Sequence, residues 1–127
     1  MDFAVGVFKF CRTLPKTDEA RDVARQLRRS ASAVASNYRA VKRSQSDRMC
    51  LSKTAVVIEE ADESGFWLER LVEVEIVSRQ AVCALLRESS ELVAIFTSSR
   101  KTVAARLNPE NARRRAGNDG VKLRTKN

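Results

Sequence analysis

Apolar residues recur every three or four positions through most of the first 107 residues, the spacing of helices with one apolar face. The clearest case is the stretch 21–43, which contains neither Gly nor Pro. Its apolar stripe consists of Val23, Leu27, Ala31, Val34, Tyr38 and Val41. The opposite face is dominated by arginine and lysine. The pattern therefore predicts a helix that carries a core face and a basic face at once.

Similar periodicity predicts helices over residues 2–13, 18–43, 47–72 and 79–107. Pro15 separates the first two, and Thr17 or Asp18 can cap the second. Ser44 and Asp47 have the spacing of a capping box before the third helix. We expect residues 73–78 to bend, because an unbroken helix over 47–107 would far exceed the usual length. Four amphipathic helices with short connections predict an all-α, up-down antiparallel four-helix bundle over residues 1–107.

Residues 108–127 lack apolar periodicity and contain the turn-forming sequence Gly-Asn-Asp-Gly at 117–120. Residues 100–127 hold nine of the 24 basic residues and two of the 16 acidic residues, so they carry +7 of a net charge of +8. The sequence therefore predicts a nearly neutral body and a basic, flexible, disordered C-terminal tail over 108–127.

Several functional classes find no support in the composition. The chain has no His, its three Cys are far apart, and it contains no Gly-rich phosphate-binding loop. We therefore expect no enzymatic activity, no catalytic residues, no metal and no cofactor. No apolar run is long enough to span a bilayer, and the N-terminus lacks the features of a signal peptide. These observations favour a cytoplasmic protein that does not enter membranes.

An acidic cluster occupies residues 59–63 of the third predicted helix, with the sequence Glu-Glu-Ala-Asp-Glu. One interpretation is a carboxylate metal site or an acid–base pair. The alternative is that these carboxylates form ion pairs with arginines of the second helix, within or between subunits. Bundle di-iron sites use Glu-x-x-His motifs, and this chain has no His, so the ion-pair interpretation is favoured.

Phe66, Trp67 and Leu68 follow directly after the acidic cluster. Successive helical residues point about 100° apart, so the three cannot all face one core. At least one of Phe66 and Trp67 should lie outside the apolar stripe. These two residues are either a wide core or the anchor of an oligomer interface, where aromatic residues are enriched.

The basic residues favour phosphate-driven, salt-dependent binding of RNA or DNA that does not read base sequence. The predicted nucleic-acid-binding residues are Arg25, Arg28, Arg29, Arg39, Lys42, Arg43, Arg113, Arg114 and Arg115. The alternative function is a protein–protein interaction or scaffold module without nucleic-acid binding, in which the arginines of the second helix pair with residues 59–63.

The segment Gln26-Leu27-Arg28-Arg29-Ser30-Ala31, followed by Asn37, resembles the second-helix signature of the 23S rRNA-intervening-sequence protein family, also called the S23 or four-helix-bundle family. Residues 59–63 and 66–69 resemble the third-helix signature of one branch, and Pro15 matches too. The likeness covers roughly residues 1–107. Many members continue after the Asn with Ile-Ala-Glu-Gly, whereas Asn37 is followed here by Tyr-Arg-Ala-Val, so a role tied to that element is not transferred.

The resemblance implies a small bundle that assembles into a ring-like homopentamer and has no known enzymatic activity. Some members are encoded within intervening sequences of large ribosomal RNA genes. Related bundles are the accessory variability determinants of diversity-generating retroelements, basic pentamers that bind a reverse transcriptase and nucleic acid. A nucleoprotein partner such as a reverse transcriptase is therefore a further expectation. Gln26, Arg28, Arg29 and Asn37 match family positions without a role being assigned to them.

Overall fold

A computed structural model describes residues 2–108 and Gly117, and the regular structure within these residues is entirely helical. The helices are α1 (Asp2–Cys11), α2 (Asp18–Lys42), α3 (Asp47–Glu73) and α4 (Arg79–Leu107). The predicted all-α four-helix bundle is confirmed. The predicted tail lies outside the described residues apart from Asn108 and Gly117.

Each of the three long helices begins at a hydroxyl residue in extended conformation. Thr17, Ser46 and Ser78 each accept a hydrogen bond from the backbone N–H three residues later, at 3.1–3.2 Å. These caps satisfy donors that the first helical turn leaves without a partner. The prediction that Ser44 caps α3 is wrong. Its hydroxyl instead donates to the Ala40 carbonyl at 2.9 Å, because Ser44 still follows the last turn of α2.

The helices contact one another in the cyclic order α1–α2–α3–α4, so α1 and α3 lie at diagonal corners. The long helices have 25, 27 and 29 residues, whereas α1 has 10. At 1.5 Å per residue, α1 is roughly 15 Å long and covers less than half the length of its neighbours. The C-terminal half of α2 therefore has no α1 beside it over its last turns.

The core follows from spacings of three and four along α3. Its buried residues are Thr54, Val57, Ala61, Ser64, Leu68 and Leu71. The buried residues of α4 recur every seven positions, at Val82, Ser89, Phe96 and Val103. Such repeats keep one seam facing neighbours that run nearly parallel or antiparallel. Where small polar residues enter the core they are paired, as the Ser30 and Ser64 hydroxyls are at 2.8 Å between α2 and α3.

The turn between α3 and α4 closes the end of α3 with a Schellman motif. Ile76 donates its backbone N–H to Leu71 O at 2.9 Å, and Glu75 donates to Val72 O at 3.0 Å. Glu75 takes the left-handed conformation, with φ of 63°. Glycine is the usual residue at this position because it has no Cβ to clash. The predicted bend at 73–78 is therefore a tight helix end with a strained residue.

Candidate nucleic-acid interface

Two arginines in the first half of the basic face of α2 are ion-paired within that helix. Arg21 Nη1 lies 3.5 Å from Asp18 Oδ1, and Arg25 Nη1 lies 3.3 Å from Asp22 Oδ1. The partners are three residues apart, on the same side of the helix. Two positive charges of the predicted face therefore already have an adjacent negative charge.

Arg29 is neutralised by α3. Its guanidinium contacts Glu63 and lies 3.6 Å from Glu60 Oε2, and its Nε donates to Gln26 Oε1 at 3.4 Å. The ion-pair interpretation of the acidic cluster therefore describes Glu60 and Glu63. Glu59 and Asp62 are exposed and form no ion pair with the described residues. Across residues 2–108 and Gly117, no group of three or more Cys, Asp or Glu side chains is arranged to hold a metal ion.

Arg28 points elsewhere, although it neighbours Arg29 in sequence. Its guanidinium lies beside the Cys11 thiol of α1. Burial raises the pKa of that thiol, and the positive charge and hydrogen bond of Arg28 oppose the shift. Arg28 therefore contributes to the contact between α1 and α2 and has no carboxylate from the acidic cluster.

The second half of the face presents Arg39, Lys42 and Arg43, which are exposed and form no ion pair with any described residue. They flank an open groove of about 790 Å³. Its other walls are the apolar residues Ala4, Ala35 and Tyr38 and the hydroxyl residues Ser32 and Ser36. Three cations and two hydroxyls around one groove are suited to contacting phosphate oxygens.

Further basic side chains without an ion-pair partner lie on the other long helices at the same end of the bundle. The pair between Arg106 and Asp47, at 3.2 Å, places the end of α4 beside the start of α3. We define the basic end as residues 31–59 and 94–107. It holds eight basic side chains against two acidic ones, whereas residues 18–30 and 60–93 hold seven against eleven. Two of these basic residues, Arg48 and Lys53, lie outside both stretches that the sequence alone marks as basic, 21–43 and 100–127.

Tyr38 is the only tyrosine, and its ring is already engaged. It makes an edge contact with Phe96, with ring centroids 5.6 Å apart and planes at 75°. Lys42 Nζ lies over the same ring, 5.3 Å from its centroid. A nucleic-acid base therefore finds no open aromatic face on Tyr38 to stack upon, and the groove is suited to contacts with the phosphate backbone.

Phe66 and Trp67 differ in exposure, as their successive positions require. Phe66 is 46% exposed, whereas Trp67 is partly buried and packs against the core. Their rings form an edge contact at 4.9 Å, and Arg70 lies over the Phe66 ring. Phe66 is the residue outside the core. Their role in an oligomer interface stays a prediction, as does nucleic-acid binding by the basic residues.

The remaining predicted site residues, Arg113, Arg114 and Arg115, lie outside the described part of the chain. The last described helix, α4, ends at Leu107, at the basic end. Residues 109–127 therefore follow from the end of the bundle where the basic side chains without ion-pair partners are concentrated. Among the described helices, none is both long and apolar enough to cross a bilayer.

Comparison with known proteins gives two findings. A family model described as 23S rRNA-intervening sequence protein matches residues 1–98. The fold is similar to a crystal structure of a protein of unknown function from the S23 ribosomal protein family of Bacteroides thetaiotaomicron. That similarity has a TM-score of 0.73 and 25% sequence identity, and it covers 79% of this chain and 93% of the other. A search of curated proteins finds no match.

Proposed function

The chain belongs to the 23S rRNA-intervening sequence protein family, and we propose that it is a bundle protein that binds nucleic acid. We further propose that it is homo-oligomeric, non-enzymatic and cytoplasmic. The bound groups are the backbone phosphates of RNA or DNA. The contacting surface is the basic end of the bundle, together with the arginines of residues 113–115. The proposal includes a nucleoprotein partner, such as a reverse transcriptase with its template, bound through the same surface.

The observation that carries the proposal is the separation, along α2, of arginines that form ion pairs from arginines that form none. Arg21, Arg25 and Arg29 have carboxylate partners and Arg28 lies beside the Cys11 thiol. Arg39 and Arg43 have no ion-pair partner among the described residues. An unpaired, exposed guanidinium can release counterions from a phosphate backbone, whereas a paired one must first lose its carboxylate. The basic end is thus the part of the bundle best suited to a polyanion.

A homo-oligomer, with a pentamer as the expected form, would repeat this surface in every subunit. Several weak phosphate-binding surfaces on one assembly bind a long nucleic acid with greater avidity than one surface does. The contacts of the Tyr38 ring with Phe96 and Lys42 favour binding through backbone phosphates, which carry no sequence information.

The test compares two double variants of the same helix by fluorescence anisotropy, with labelled RNA and DNA of identical sequence between 50 and 200 mM salt. Arg39→Ala with Arg43→Ala removes unpaired charges, and Arg21→Ala with Arg25→Ala removes the same number of paired charges. Each phosphate contact contributes about 0.7 to 0.9 to the slope of log affinity against log salt. The slope is negative, and we expect the first variant to reduce its magnitude by roughly 1.4 to 1.8 and the control to leave it close to the wild-type value.

Three results would contradict the proposal. The wild-type protein could fail to bind either nucleic acid near 150 mM salt, or its binding could be independent of salt. The two double variants could also weaken binding equally. Circular dichroism of both variants establishes that each keeps the helical fold, so that lost binding reports lost charge.

A scaffold function without nucleic acid is the second candidate, and the exposed Phe66 beside a shallow groove favours it. It predicts that removing residues 110–127 leaves binding of the partner protein intact. It also predicts that exchange of Arg39 and Arg43 for Ala has no effect on that binding. Phe66→Glu should abolish it, since a charged side chain would enter an apolar contact.

A further inference from the structure

Two exposed surfaces with complementary character lie on different sides of the bundle. The first, which we call the α1 strip, consists of Val5, Phe8, Lys9 and Arg12. The second, the α3–α4 groove, is an open groove of about 460 Å³ that includes Phe66 on its rim. The strip lies on the side of α1 that faces away from the core, and α1 makes no contact with α3, so the strip does not face the groove of its own chain.

The α1 strip lies opposite the side of α1 that enters the core. Phe3, Val7 and Cys11 are buried, whereas Val5 is 53% exposed and Phe8 is 40% exposed. Lys9 and Arg12 are exposed on the same side and form no ion pair with the described residues. A ten-residue helix thus presents two large apolar side chains followed by two positive charges.

The α3–α4 groove has the opposite charge and a floor of small residues. Ala61, Gly65 and Ser89 lie along it, and a Cβ added at Gly65 would lie 3.2 Å from Ser89 Oγ, so the two helices approach closely here. Asp62 and Glu69 line the groove; Glu69 is ion-paired with Arg79 at 3.0 Å, whereas Asp62 has no basic partner among the described residues. A shallow channel with an aromatic rim and one unpaired carboxylate is complementary to an apolar, basic helix face.

We propose that the α1 strip of one copy docks in the α3–α4 groove of a second copy. The inference rests on the homo-oligomer of the proposed function and adds the two surfaces through which copies meet. Phe8 packs beside Phe66, and Arg12 lies near Asp62. The contact is heterologous, because each copy offers a different surface on each side, and such contacts close into rings or continue as filaments.

A heterologous contact has a consequence that a symmetric one lacks. Phe8→Glu damages the strip and leaves the groove intact, whereas Phe66→Glu damages the groove and leaves the strip intact. Either variant alone has no intact pair of surfaces. A mixture has one, formed by the strip of the Phe66→Glu chain and the groove of the Phe8→Glu chain. Assembly must then stop at two chains.

The experiment measures mass by light scattering at matched concentrations of the full chain. Wild-type protein should be oligomeric, each single variant should have the monomer mass of 14.2 kDa, and their equimolar mixture should have twice that mass. Ile95→Glu is the matched control, because Ile95 is 61% exposed and belongs to neither surface. It should retain the wild-type mass. Circular dichroism and thermal melting confirm that all variants stay folded.

Other outcomes overturn the inference in distinguishable ways. If wild-type protein is oligomeric and either single variant keeps its mass, the surfaces are wrong and the oligomer of the proposed function stands. If both variants are monomeric and their mixture stays monomeric, the contact is not heterologous as proposed. If wild-type protein is itself monomeric, the inference and the oligomer fail together, and nucleic-acid binding is decided by its own assay.

Discussion

Replacing Glu75 by glycine should stabilise the protein. Glu75 has φ of 63° at the end of α3, and its carboxylate forms no ion pair with the described residues. Only the backbone of Glu75 has a role there, since the N–H groups of Glu75 and Ile76 donate the two hydrogen bonds that close the helix end. A side chain at this position adds a steric cost and gives little in return.

The size of the effect follows from two opposing contributions. A left-handed conformation costs an L-residue about 1–2 kcal/mol, and glycine escapes this cost. Glycine in turn loses more backbone freedom on folding, about 0.5–1 kcal/mol. The net gain in the free energy of unfolding is therefore about 0.5–1 kcal/mol. For a chain of this length it corresponds to a rise in Tm of roughly 2–5 °C.

Urea and thermal unfolding followed by circular dichroism measure this gain. Glu75→Ala is the matched control, because it removes the carboxylate from the end of α3 but keeps the Cβ. Any relief of unfavourable charge at the helix C-terminus appears equally in both variants. Glu75→Gly should exceed Glu75→Ala by the net gain of about 0.5–1 kcal/mol, because the glycine backbone entropy offsets part of the steric relief. Equal stability of the two variants would refute the assignment of strain to the backbone of residue 75.

Two further predictions concern the core. Leu68→Ala should lower the free energy of unfolding by about 2–5 kcal/mol in urea titrations, because the side chain is fully buried; Ile95→Ala, at an exposed position, should cost far less. Burial favours the neutral thiol of Cys11 and raises its pKa. Above about pH 9.0 the unfolded thiol ionises while the folded one stays neutral, so the free energy of unfolding falls as pH rises. Wild-type protein should therefore lose more stability than Cys11→Ala between pH 8 and pH 10, and parallel losses would contradict this.

The basic face of α2 marks where reasoning from the sequence was incomplete. A helix projection places Arg25, Arg28 and Arg29 on neighbouring turns and predicts one phosphate-binding surface. In the fold their environments differ, since Arg25 pairs with Asp22, Arg28 lies beside Cys11 and Arg29 pairs with residues of α3. The partner of Arg25 lies three residues earlier on the same helix, whereas the packing of α1 and α3 against α2 determines the neighbours of Arg28 and Arg29.

Other basic residues gain importance only in the fold. Arg48, Lys53 and Arg100 are separate in sequence and have no motif in common. The antiparallel course of α2, α3 and α4 brings the ends of α2 and α4 to the start of α3, as the Arg106–Asp47 ion pair shows for α4. A charge count along the chain assigned the positive charge to the C-terminal tail, although the bundle also has a basic end of its own.

The sequence by itself determined the four helices, the residues of their apolar stripes and the exposure of one of two adjacent aromatic residues. These properties are local, because they depend on the period of the helix and on where helix-breaking and capping residues occur. Tertiary structure alone decided which arginines are neutralised, that Ser46 rather than Ser44 caps α3, and that Glu75 is strained. It also decided where the short α1 leaves a groove and which surfaces face away from each other. The neutralisation of Arg29, the groove and the relative positions of the surfaces depend on distances between residues far apart in the chain, which are set by the packing of the helices. The Ser46 cap and the conformation of Glu75 depend instead on the residue at which a helix begins or ends, which apolar periodicity leaves open by one or two residues.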